Sequence, residues 1–207
     1  MLITFEGIEG SGKTTQIEFL YNHLKKEGYE VIKTREPGGT AFGEALRRIF
    51  LHENLNVLPL SELLVFMAMR AQHVEELIMP ALKDGKVVLC DRFVDASYAY
   101  QGYGRGIDLG IIETLNRLVT KGIRPNLTIL LDCPVNKGLQ RKAAFNNVMD
   151  RFEKEDIAFH QRIKNAYLKL SREEPKRFLI VDGKKRVEDI EILIRKNVEN
   201  LLKNYGI

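Results

Sequence analysis

Residues 7–14 read GIEGSGKT and fit the spacing G-x-x-x-x-G-K-[ST]. Gly7, Gly10 and Gly12 let the backbone turn tightly enough for successive N–H groups to converge on an anion. Ile8, Glu9 and Ser11 complete that cradle. A helix starting near Lys13 adds the positive end of its dipole. Lys13 supplies a point charge for β- and γ-phosphates, the Thr14 hydroxyl suits Mg²⁺, and Thr15 follows at the same helix start. A ligand-free glycine corner is the plain alternative. It fits less well, because the motif lies between an apolar strand and an amphipathic helix, as phosphate binding requires. The loop therefore calls for a nucleoside triphosphate, ATP first among them.

The residues that could hold an acceptor lie further along. VVLCDRF ends an apolar run with Asp91 and Arg92. An acid at a strand end can hold Mg²⁺ or its waters, and an adjacent Arg can clamp phosphoryl oxygens. Asp132 also ends a strand and competes for the metal, and either acid could simply cap a helix. Asp91 is favoured because Arg92 adds phosphate chemistry beside it. Phe66 and Arg70 stand four apart on one expected helix and share a face. A ring and a guanidinium suit a nucleobase, one stacking and the other bonding an edge, although Phe at helical spacing is more often core. Ser97 and Gln101 form a second such pair with Tyr100 beside them, and Gln can both donate to and accept from a base. Glu36 and Arg47 flank the Gly38-Gly39 turn.

Something must carry these residues to one place. LITFE (2–6), VIKT (31–34), KVVLCD (86–91), LTILLD (127–132) and RFLIVD (177–182) read as strands, the last three with near-continuous apolar runs. Helical spacing follows each, including 61–77, expected to be capped by Ser61 and to end before Pro80, and 108–121, 134–142, 153–172 and 187–203. Alternating strands and helices predict one α/β domain over residues 1–207, with ligands outside the carboxyl ends of a parallel sheet. The chemical segments stand at those ends.

Composition excludes several classes. Of 207 residues, 44% are apolar and 29% charged, with net charge +4, no Trp and no basic block, which argues against nucleic-acid binding. No apolar run is long enough to span a membrane, and no basic flank precedes the first strand, so neither an anchor nor a signal peptide is expected. Cys90 and Cys133 lie in apolar runs and read as free core residues of a cytoplasmic protein. The four histidines, His23, His52, His73 and His160, lack metal-ligand spacing and read as structural or surface residues.

Taken together, FEGIEGSGKTTQ, TREPGGT, LLVFMAMR, DRFVDASYAYQGYGRG, PNLTILLD, RFEKEDIAFHQRIKNAYLKL and FLIVDG resemble the bacterial thymidylate kinase family, in order and over nearly the whole chain. The pairing of REPGGT with DR…AYQG is specific, whereas the phosphate loop alone is shared by many NTPases. The resemblance implies a P-loop fold with a parallel sheet of five strands flanked by helices on both faces, a mobile lid at about 141–152, and a homodimer. It implies transfer of the γ-phosphoryl of ATP to dTMP, giving dTDP, with Mg²⁺. Phe66 would stack on thymine. Arg70 and Gln101 would read its edge, with Ser97 nearby. Tyr100 would disfavour a ribose 2′-OH, and Glu9 would face the sugar 3′-OH or the metal. Arg47 and Arg92 would hold the dTMP phosphate, and Glu36 would lie at the same edge.

Two departures from the family pattern matter. Ala96 stands where Ser is common, so Ser97 supplies the hydroxyl of that pair. The lid stretch leaves Arg141, Lys142 and Arg151 as its cations, and Arg141 is expected to join Lys13 and Arg92 at the transferring phosphoryl. A kinase with a different monophosphate acceptor, or a nucleotide-dependent switch protein without acceptor, are the rival readings.

Overall fold

The structure is a computed structural model that describes residues 1–52, 55–145 and 150–206. Five strands form one parallel sheet: β1 (Leu2–Glu6), β2 (Val31–Arg35), β3 (Val87–Asp91), β4 (Leu127–Asp132) and β5 (Phe178–Asp182), in the order β2-β3-β1-β4-β5. Of the three strands with near-continuous apolar runs, β3 and β4 lie inside the sheet and β5 at its edge. Every residue of β1 is buried, while the edge strands β2 and β5 are only partly buried. The register sets Phe5 beside Asp91 and Ile129, so the carboxyl ends of β1, β3 and β4 emerge together.

Helices cover both faces. On one, α1 (Lys13–Lys26) and α9 (Val187–Asn204) lay Ile17, Leu20, Leu24, Ile190, Ile194 and Val198 against Ile3, Phe5 and Leu89. On the other, α8 (Ile157–Glu173) packs Phe159, Ile163 and Tyr167 with Leu130. The helices α2 (Ala41–His52), α3 (Pro59–His73), α4 (Met79–Lys83), α5 (Val94–Ser97), α6 (Leu109–Thr120) and α7 (Val135–Phe145) complete the described elements. Among the described residues no helix is long and apolar enough to cross a membrane.

Two expectations about helix ends are corrected. Helix α3 starts at Pro59, not at a Ser61 cap, because a proline at the first turn presets the helical φ. Pro80 does not stop the run. A π-helical turn, Val74–Ile78, follows α3, and Pro80 enters the first turn of α4, where a missing N–H is tolerated. A second π-helical segment, Tyr98–Gly104, continues α5 in a stretch where the sequence marks no element beyond the Ser97–Gln101 spacing. Gly102 and Gly104 permit it. A Cβ on Gly104 would lie 2.8 Å from the Phe159 ring, so a side chain there would push α8 away.

Candidate active site

The loop after β1 is built on glycines with positive φ: 139° at Gly7, 67° at Gly10 and 100° at Gly12. A Cβ on Gly10 would come within 1.9 Å of the Gly138 carbonyl, so this glycine also admits α7 against the loop. Lys13 is buried, and its Nζ donates to the carbonyls of Gly7 and Ile8, both at 3.0 Å. Burial, and then the charge of Arg92, pull the Lys13 amine down to about 8. Thr14 and Thr15 are exposed at the helix start.

The hydroxyl of Thr14 donates to Asp91 Oδ2 at 3.3 Å. The rival acid Asp132 is ion-paired with Lys164. A hydroxyl and a carboxylate side by side are hard oxygen donors. They fit Mg²⁺, which takes few protein ligands and shares the rest with phosphates and water. Among the described residues no group of three or more His, Cys, Asp or Glu is placed to hold a metal.

Arg92 joins this loop to the rest. Its φ of 68° is left-handed, unusual for a residue with a side chain. Nη1 donates to the Gly7 carbonyl at 2.8 Å and to the Tyr167 hydroxyl at 3.1 Å, and Nη2 pairs with Glu9 at 3.1 Å. The guanidinium lies 4.9 Å from the Tyr100 ring centre. The Tyr100 hydroxyl donates to Glu9, and His160 Nδ1 lies 3.2 Å from Glu9 Oε2, outside hydrogen-bond geometry. Burial alone would raise the Glu9 carboxyl. His160, Arg92, Lys13 and Tyr100 outweigh burial and hold it well below the usual range. Glu6, behind the loop, accepts from Phe93 N and the Tyr167 hydroxyl; burial, then the Asp95 charge, push it up to about 8.

Beyond β3 the acceptor candidates gather. Arg70, 3% exposed, spends Nε on Glu36 at 2.6 Å, Nη1 on Ser97 and Asn116, and Nη2 on the Phe93 carbonyl. Glu36 in turn meets His73 at 3.0 Å. Gln101 donates to Glu62, not to Ser97. Arg47 Nη1 donates to the Pro37 carbonyl at 2.6 Å. Phe66 stacks on Phe152 with ring centres 5.9 Å apart, and Phe50 meets its edge at 5.0 Å. Tyr100 also meets Phe152, edge to face. The expected lid at 141–152 enters this cluster from its far end. Asn146, Asn147, Val148 and Met149 lie outside the described residues. Its three cations turn to protein partners: Arg141 to the Gly183 carbonyl, Lys142 to Glu153 and Arg151 to Glu62.

Sequence reasoning passed over Glu62, His73, Arg105, His160 and Tyr167, all of which touch these groups. A signal existed on α8: His160 and Tyr167 recur on the same stripe as Phe159, Ile163 and Ala166. Polar groups on a core-facing stripe need partners within the fold.

The parallel order, the glycine loop with its lysine and the cationic strand end define a P-loop nucleotide-binding protein, with a buried polar cluster around Arg70 near the same strand end. The thymidylate kinase family model matches residues 5–194. A thymidylate kinase of Geotalea daltonii is 53% identical over 199 residues, covering 93% of each chain. One from Pelobacter propionicus is 50% identical over 209 residues, covering 98% of this chain and 95% of its own. The crystal structure of thymidylate kinase from Ehrlichia chaffeensis superposes with a TM-score of 0.78 at 36% identity, covering 96% of this chain and 98% of that one. The chain belongs to the thymidylate kinase family.

Proposed function

We propose that the chain transfers the γ-phosphoryl of ATP to dTMP, giving dTDP and ADP, a step toward dTTP for DNA synthesis. Family membership supports the reaction. The observation that carries the mechanism is that Lys13 and Arg92 converge on a single atom, the Gly7 carbonyl oxygen. One belongs to the triphosphate cradle and the other to the strand end near the buried cluster of Arg70, Ser97 and Gln101. Two cations on one turn mark where donor and acceptor phosphates would meet.

The amides of residues 7–14 and Lys13 would hold the β- and γ-phosphates, with Thr15 at the same helix start. Arg92 and Arg47 would hold the dTMP phosphate. Phe66 would stack on the base, Arg70 and Gln101 would read its edge beside Ser97, Tyr100 would fill the space at the sugar 2′ position, and Glu36 would brace Arg70. Glu9 would accept from the 3′-OH. Thr14 and Asp91 would hold Mg²⁺, which neutralises phosphate charge when bound. The dTMP phosphate is already an anion near neutral pH, so this chain's residues need only align it and stabilise the charge spread over the moving phosphoryl. Residues 141–152 would form the lid, and Arg141, one turn beyond the Gly138 contact with the loop, would turn from Gly183 to the phosphoryl on closure. Excluding water there would spare ATP from hydrolysis. One domain, 1–207, would serve both substrates. A cytoplasmic homodimer belongs to the same reading; Cys90 and Cys133 are free and buried, and Leu60 and Leu64 of α3 offer apolar surface to a second copy.

The test is ADP release from ATP–Mg²⁺ with dTMP, dUMP, UMP, dCMP and dAMP offered in turn. Turnover should be highest with dTMP. Preference for another monophosphate would overturn the base-pocket roles and keep the loop's; ATP binding with no stimulated turnover would favour a switch protein.

A further inference from the structure

Glu62 in α3 is wholly buried, yet no part of the mechanism above uses it. Its Oε1 accepts from Gln101 Nε2 at 2.7 Å. Arg105 Nε lies 3.3 Å from Oε2, and Arg151 Nη2 lies 3.1 Å from the same oxygen. A carboxylate has only lone pairs to offer. The amide of Gln101 can therefore face it in one sense alone, nitrogen toward Glu62 and carbonyl oxygen away. That oxygen accepts no hydrogen bond from the described residues, although Gln101 is 1% exposed. Asn and Gln amides are otherwise free to turn over at similar cost, so a fixed acceptor-only neighbour decides the sense.

Arg70 makes the complementary count. A guanidinium has about five N–H groups. Glu36, Ser97, Asn116 and the Phe93 carbonyl take four, which leaves one on Nη2. Arg70 rests on Ser97, one turn before Gln101. The pair thus presents one spare donor, from Arg70, and one spare acceptor, from Gln101. A thymine or uracil imide offers the matching edge, a carbonyl oxygen beside N3–H. Cytosine offers the reverse, an amino group beside a bare N3.

We propose that Glu62 is the positioning residue that sets imide over cytosine selectivity, by locking the amide of Gln101. The inference rests on the dTMP kinase reading, with Gln101 at the base. Glu62→Gln removes the lock, since an amide at 62 can either donate or accept. The double variant Glu62→Gln, Gln101→Glu restores an obligatory acceptor at 101, with residue 62 as its donor.

The measurement is kcat/KM for dTMP and dCMP in the wild-type chain and both variants, with ATP saturating and folding checked by thermal melting. Glu62→Gln should lower the dTMP/dCMP ratio by roughly tenfold or more, through KM for the monophosphate, with KM for ATP unchanged. The double variant should regain the dTMP preference, which a merely structural Glu62 would not produce. An unchanged ratio in folded Glu62→Gln, or an equal fall for both substrates, overturns the inference. Should Glu62→Gln fail to fold, the double variant decides alone: no preference for dTMP over dCMP overturns it. A wild-type chain without dTMP turnover overturns the functional reading itself, a separate result.

Discussion

Arg92 shows what one residue can be held to do. A side chain at φ 68° stores strain, of order 1–3 kcal/mol, that its neighbours must outweigh. The Gly7 carbonyl, the Tyr167 hydroxyl and Glu9 provide three charge-assisted contacts that do so. Burial would lower its affinity for the proton, but Tyr100, Tyr167, Glu9 and Asp91 more than compensate, so the charge is permanent. In the proposed reaction its value would lie in being aimed before substrate arrives. Arg92→Ala should cut kcat with dTMP by about a thousandfold or more while the protein still folds and binds ATP. Steady-state kinetics beside a melting curve check this, and near-wild-type turnover would remove Arg92 from the mechanism.

At the scale of elements, the site depends on two close approaches that side chains would forbid. Gly10 lets α7 touch the phosphate loop, and Gly104 lets α8 touch the π-helical segment that carries Tyr100 and Gln101. In Gly10→Ala a Cβ would stand 1.9 Å from the Gly138 carbonyl, on a residue already at φ 67°. Either the loop or α7 must give way, at a cost of about 1–3 kcal/mol. ATP affinity, read by calorimetry, should fall by about tenfold or more, and unchanged affinity would show that the loop tolerates displacement. The far end of the proposed lid is tied to α3 through Arg151 and Glu62, and Arg105 pairs with Glu155 just beyond it. Closure over substrate would have to rework those pairs.

The whole molecule carries buried acids pulled in opposite directions, and its stability should follow pH accordingly. Glu36 is raised by burial but held down more strongly by Arg70 and His73. Its contribution is therefore present above the ordinary value of 4.5 and lost as pH falls through its lowered one. Glu6 behaves inversely: raised from 4.5 to about 8, it keeps its proton in the folded chain while the unfolded chain releases one. Stability should thus decline as pH rises from about 5 toward 8. Melting temperature against pH should show both limbs. Glu6→Gln, a near-isostere of the protonated acid, should flatten the upper limb; an identical slope in that variant would place the loss elsewhere.

The sheet and the phosphate loop were legible in the chain because they rest on local physics, whereas the acceptor candidates rested on i, i+4 spacing and on resemblance to a family. Glycine spacing specifies a turn, unbroken apolar runs specify strands, and both survive in any tertiary context that buries them. Helix ends were less legible at Ser61 and Pro80, where a first-turn proline and a π-helical turn overrode the usual signals. Pairings between distant polar groups were not legible at all. Nothing near Gln101 names Glu62 as its partner, and nothing near Glu9 names Tyr100 and His160. Sequence by itself settled which groups the protein owns and at which strand ends they emerge. Only the folded chain decided which buried donor meets which acceptor, because that choice depends on which side chains are shut away from water together.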